Sequence, residues 1–337
     1  MNLIIYHLTK QHVFEKSLVL KLVFLLSFGV FTLSLSSQNF DDIDSLLVDR
    51  DIENYSIRIL TNYKVNKFSL KNHGSRLKFV PNNKHGLGFG FANKKLILDL
   101  AFNLKNPNKE ETRRFDLQGT TILKKKHFVN VYAQTYKGFE AKNNFNEPYV
   151  FRSDLRSINI GFNYLHTLDN VEFSYSLLKA GLSEKEHENV FITGGLGLFG
   201  GFDYFSADSS ILSEESSSYF NEEANIKRYQ SVAIGVLAGF VSYYKLPENI
   251  TATLNVMPGI GITHKKITLK DGGYIPSNPM IYKLDFLVGL AYNLKQYYVS
   301  LTYSNGLYAT DFDYDNKYRL NLSKAKLAFG YKFKHKK

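Results

Sequence analysis

Residues 281–293 read Ile-Tyr-Lys-Leu-Asp-Phe-Leu-Val-Gly-Leu-Ala-Tyr-Asn. Tyr282, Leu284, Phe286, Val288, Leu290 and Tyr292 take every second position, and Lys283, Asp285, Leu287, Gly289, Ala291 and Asn293 lie between them. A β-strand sends successive side chains to opposite faces. The segment therefore has one wholly apolar face, with a tyrosine at each end, and one small or charged face. Tyr297, Val299, Leu301 and Tyr303 repeat the pattern, and so do Ala325, Leu327, Phe329, Tyr331 and Phe333. About ten residues, apolar on one side, polar on the other and aromatic at the rims, are the mark of a strand that crosses a membrane in a β-barrel.

Composition agrees. The 337 residues include 23 Tyr and 27 Phe but no Trp. Tyrosine suits a membrane interface, because its ring is apolar and its hydroxyl is wet. A mean hydropathy of −0.23 excludes a bundle of apolar helices, yet it is ordinary for a barrel, whose strands turn half their side chains to the lumen. A soluble β-sandwich alternates in the same way; the long strands with aromatic rims, together with an export signal, favour the membrane barrel. Cysteine is absent, so there is no disulfide, thiolate metal site or lipidated cysteine. The net charge of +11 is spread over turns and strand faces rather than gathered with stacking aromatics. It is read as lumen lining and contact with lipid phosphates, not as a nucleic-acid surface.

In chain order, residues 1–37 read as a signal peptide: Lys10, Lys16 and Lys21 precede the apolar run Leu22 to Leu35, and Ser34, Ser36 and Ser37 suit cleavage before Gln38. Residues 38–54 are an acidic periplasmic lead-in. Residues 55–337 are expected to form an all-β, transmembrane, antiparallel up-and-down barrel of about twelve strands, within a range of about 10–14. Ser56–Lys64 and Lys67–Asn72 read as two short strands, and Arg76–Val80 as a third. Short turns at 93–95, 124–126, 166–170, 245–249 and 294–296 alternate with long loops at 105–113, 137–154, 206–228, 269–280 and 309–320. That parity puts both termini in the periplasm, provided residues 171–189 form an insert folded inward or into the periplasm. Gly194, Gly195, Gly197, Gly200 and Gly201 lie within an alternating strand, so they suit a bending wall or a close approach rather than a phosphate cradle.

Four runs carry a resemblance: YSIRILTNYKVNKFSLKN (55–72), LKFVPNNKHGLGFGFANKKLILDLAF (77–102), FDLQGTTILKKKHFVNVYAQTYKGF (115–139) and NVEFSYSLLKAGLSEKEHENVFITGG (170–195). Through Arg58, Tyr63, Pro81-Asn82, Gly86, Gly88, Leu117, Tyr136-Lys137-Gly138, Phe173-Ser174 and Gly194-Gly195, residues 50–333 resemble an uncharacterised domain-of-unknown-function family of Bacteroidota outer-membrane proteins. Glu184 to Asn189 depart from its pattern. The resemblance implies a barrel in the bacterial outer membrane and assigns no activity, cofactor or catalytic residue.

Alternation places Asp99, Asp116, Lys283, Asp285, Lys324 and Lys326 on the lumen face, where charges pair across a filled interior or line a narrow passage. No histidine stands mid-strand beside a serine; His264 next to Thr263 is the nearest approach to a hydrolase pair. Asp311, Asp313 and Asp315 alternate as calcium ligands do, but the glycine and distant glutamate of a calcium loop are missing. They read as a solvated acidic loop, and no metal or cofactor is expected. The expected partners are outer-membrane lipids, the barrel-assembly machinery during insertion and an unidentified envelope protein. The expected role is narrow solute passage or an envelope scaffold, with a lipid-modifying hydrolase as the alternative.

Overall fold

The computed structural model describes residues 54–92, 97–103, 110–124, 126–171, 190–294 and 296–334. The predicted signal peptide and nearly all of the lead-in and of the 171–189 insert lie outside the described residues.

The strands are β1 (Asn54–Asn72), β2 (Ser75–Val80), β3 (His85–Ala92), β4 (Ile97–Asn103), β5 (Arg113–Leu123), β6 (His127–Asn143), β7 (Val150–Thr167), β8 (Val190–Ser206), β9 (Ile226–Leu246), β10 (Ile250–Leu269), β11 (Gly273–Tyr274), β12 (Met280–Asn293), β13 (Tyr297–Asp311) and β14 (Asn316–Lys334). Ten of them close a ring in the order β1-β2-β6-β7-β8-β9-β10-β12-β13-β14, and β14 returns to β1. Each ladder in the ring is antiparallel, and the closing ladder runs from Asn54↔Lys334 to Asn72↔Asn316. The first residue of β1 and the last of β14 thus share one rim, here called lower.

The three strands β3, β4 and β5 hang from this ring on the lower side. β1 pairs with β2 at its upper end and with β3 at its lower end, so β2 and β3 are two halves of one path interrupted at residues 81–84. β4 pairs with β3, and β5 with β6. Among the described residues no ladder joins β4 to β5. The wall forks at mid-height, and side chains tie the fork. The backbone N–H of Thr112 donates to Asn82 Oδ1 at 2.8 Å, and its hydroxyl donates to the Gly138 carbonyl at 2.8 Å. Arg114 donates to the carbonyls of Lys64 and Lys84, at 3.1 and 3.2 Å. An interrupted ladder leaves strand carbonyls that need such donors.

The chemistry of each strand reverses along its length. Low on β1, Ile57 and Ile59 face outward while Ser56, Arg58 and Asn62 are buried inside; high on β1, Phe68 and Leu70 are inside and Lys67, Ser69 and Lys71 outside. β14 behaves alike, with Leu327 and Phe329 exposed below and Tyr318 and Leu320 buried above. On β9, Val232, Ile234 and Val236 are exposed while Tyr229 is buried. The molecule therefore has two storeys. The lower is apolar outside, as hydrocarbon demands, and inside it mixes polar rows with a second buried apolar cluster of Phe128, Leu165, Phe199, Leu237, Val241 and Met257. The upper is polar outside with an apolar core, as water demands. Tyr63, Tyr282 and Tyr303 mark the top of the exposed apolar belt, and Tyr292 and Tyr297 its lower rim.

This reversal corrects several expectations. Ser56–Lys64 and Lys67–Asn72 are one nineteen-residue strand; the apolar residues change face between Tyr63 and Phe68, which imitates a break. For the same reason the expected long loops 137–154 and 309–320 are mostly strand, and only 144–149 and 312–315 lie between strands. The expected loop 105–113 ends at the mid-height fork, not at the upper rim.

Candidate functional site in the barrel interior

The upper lumen is filled. Phe68, Leu70, Leu77, Phe79, Tyr136, Phe139, Leu155, Phe205, Tyr229, Ile267, Phe312, Tyr318 and Leu320 form one buried cluster. Phe68 stacks on Phe79 and Phe205, with ring centroids 4.6 and 4.8 Å apart. Ile211, Leu212 and Ala224 close it from the 207–225 connection, which carries a short helix α1 (Glu214–Ser217) capped by Ser213. At this end, burial and then the charges of Asp313 and Glu223 push the Tyr274 hydroxyl well above its ordinary range.

Directly beneath the core lies a polar layer. Asp116 accepts from Gln134 and from Tyr136, both at 3.3 Å, and pairs with Lys64 at 3.3 Å. Asn66 donates to Gln134 at 3.1 Å and to Asn159 at 2.5 Å, and Asn159 donates to Asp203 at 2.6 Å. This chain runs from β5 through β6, β1 and β7 to β8, crossing the lumen. A second tie joins β6 to β13 through the Tyr132 and Tyr308 hydroxyls at 3.0 Å. A third joins β7 to β12: Asn163 donates to Asp285 at 2.5 Å, and Lys283 is bonded to the same carboxylate. Lys283 is buried with its ammonium between the Phe199 and Tyr308 rings, 5.3 and 5.4 Å from their centroids. A buried ion pair repays its desolvation only when further hydrogen bonds complete it, and Asn163 supplies one.

Of the residues read from sequence, Asp116, Lys283 and Asp285 stand inside, in pairs. Lys324 and Lys326 lie on inward positions of β14, opposite Lys64 and Asn62. Asp99 lies on β4 opposite Gly90, and its side chain is outside the described residues. Asp311, Asp313 and Asp315 are not brought together. Asp311 accepts from the Asp313 N–H at 2.7 Å, Asp313 accepts from the Ser277 N–H at 2.6 Å, and Asp315 lies 3.6 Å from His73. Among the described residues no cluster of three histidines or carboxylates is arranged to hold a metal. Thr263 is buried and His264 exposed, so they occupy opposite faces.

Sequence reading missed Asn66, Asn159, Asn163, Asp203, Tyr132 and Tyr308. All sit on inward rows. Nothing local distinguishes them from other alternating polar residues, because their partners come from strands across the lumen. Where glycines replace them, the wall is close-packed: a Cβ on Gly235 would lie 2.5 Å from the Ile260 carbonyl and from the Phe199 ring.

Among solved structures the chain is similar to outer-membrane proteins. These include the beta domain of the Bordetella autotransporter BrkA (8% identity, 84% of this chain and 100% of that one, TM-score 0.33) and Ail of Yersinia pestis (12%, 83% and 99%, TM-score 0.22). The Pseudomonas putida toluene transporter TodX is a third (9%, 88% and 94%, TM-score 0.24). No curated protein matches. The barrel rests on its own ladders and belt, and its sequence identifies its kin: residues 42–333 match a family described as a domain of unknown function, DUF4421, and the chain belongs to that family.

Proposed function

We propose that the chain is a closed, non-enzymatic barrel of the bacterial outer membrane that serves as an envelope scaffold and presents its upper storey outside the cell. The observation that carries this reading is the apolar core around Phe68, Phe79, Phe205 and Tyr318, which fills the upper lumen. Water and ions do not cross a close-packed interior, so the core argues against solute passage. Connections at the upper end such as 207–225, against short ones at the lower such as 247–249 and 294–296, support periplasmic termini, with the 168–189 insert as the one long lower connection. Against a hydrolase, the described histidines His85, His127, His166 and His264 occupy outward rows, and His73 lies on a turn.

Planar-bilayer recording of the purified chain is the test. Silent membranes, together with surface labelling of Ser209→Cys on intact cells in this cysteine-free chain, are the expected result. Reproducible conductance steps overturn closure, and labelling only after the outer membrane is opened overturns the orientation.

A further inference from the structure

The upper storey carries basic side chains packed side by side on one wall. On β1, Lys71 has Lys317 of β14 as its ladder partner on one side and Arg76 of β2 on the other. One step below, Ser69 lies between Arg319 and Lys78, and Lys78 is opposite Lys142 of β6. All six bases alternate with buried core residues and so point outward. Acids on these rows stand only at the ends: Asp311 opposite Lys317, and Glu140 3.0 Å from Lys142. On the far wall the bases are spaced by neutral partners, with Arg228 opposite Thr268 and Lys266 opposite Gln230.

Like charges directly opposite one another on a sheet are destabilising. Two rows of them persist where something anionic spans them. Neighbouring strands are about 4.8 Å apart, so the rows present a close grid of cations that can meet several phosphates at once.

Height selects the source of those phosphates. Ser69 is six residues above Tyr63, at the top of the belt. That is about 20 Å along a strand and about 15 Å of height at a tilt of roughly 40°. A phospholipid headgroup layer adds only about 5–7 Å beyond the hydrocarbon. A glycolipid whose phosphorylated sugars rise above the leaflet reaches the rows.

We propose that the wall formed by β14, β1, β2 and β6 binds the phosphorylated oligosaccharide of an outer-leaflet glycolipid. This rests on the orientation proposed above, but not on closure of the lumen.

The test uses the full chain in detergent and native mass spectrometry with a phosphorylated lipooligosaccharide as probe. Replacing Lys71, Lys78 and Arg319 by glutamine is expected to lower bound glycolipid at least about tenfold. The far-wall control, Arg228→Gln with Lys266→Gln, retains it, and enzymatic dephosphorylation of the probe abolishes binding. Unchanged heat-modifiable gel mobility certifies that the variants are folded. Equal retention by both variants overturns the proposal. So does binding of phosphatidylglycerol as tightly as the glycolipid, or displacement by soluble polyphosphate at equal phosphate concentration. A conducting barrel that still loses glycolipid with the wall variant refutes closure alone.

Discussion

Tyr132 on β6 and Tyr308 on β13 share a hydroxyl–hydroxyl hydrogen bond of 3.0 Å across the lumen, although their strands are not neighbours in the ring. Each single Tyr→Phe change should cost about 1 kcal/mol. The double change should cost little more than either single one, because the same bond is lost once. Urea unfolding in detergent, followed by gel mobility, measures this; additive losses would mean that the hydroxyls act separately.

The apolar core predicts a larger loss. Phe68 is 1% exposed and touches the Phe79, Phe139 and Phe205 rings. Phe68→Ala should destabilise by about 3–5 kcal/mol, while Tyr149→Ala, on an exposed ring, should fall within about 0.5 kcal/mol of the parent.

The two storeys predict opposite responses to charge. Val236 stands on the exposed belt, so Val236→Arg should cost about 2–4 kcal/mol in a bilayer. Lys71→Leu, outward on the upper storey, should leave bilayer stability within about 0.5 kcal/mol. Equal costs would contradict the reversal of polarity.

Thr112→Val removes the hydroxyl that serves the Gly138 carbonyl at the fork. A buried acceptor left without its donor costs about 1–3 kcal/mol. Cleavage by added protease near residues 104–112 should rise accordingly, with the rest of the barrel intact.

Chelator should leave the melting temperature of the folded barrel unchanged. Asp311, Asp313 and Asp315 are turned to separate donors. A downward shift on adding a calcium chelator would show that they converge on an ion.

The period-two rhythm of β12, β13 and β14 made the barrel legible in the sequence, because outward residues there meet lipid and share one chemistry over the whole crossing. The inward charges Asp116, Lys283 and Asp285 followed from the same parity. What parity could not give was the upper storey. Between Tyr63 and Phe68 the geometry continues unbroken while the oily residues pass from the outer face to the inner, and a pattern search registers that as an end. The cross-lumen partners Asn66 and Asn159, or Asn163 and Asp285, were equally hidden, since each pairing depends on ring closure rather than on spacing along the chain.

The closing ladder between β1 and β14 joins the first described residue to the last. Contacts of such sequence separation form late and slowly. The barrel cannot seal until its final strand has been delivered, so a chain cut short by one strand keeps two raw edges in an environment with no water to satisfy them. Completion of this one ladder therefore reports that every strand of the ring is in place.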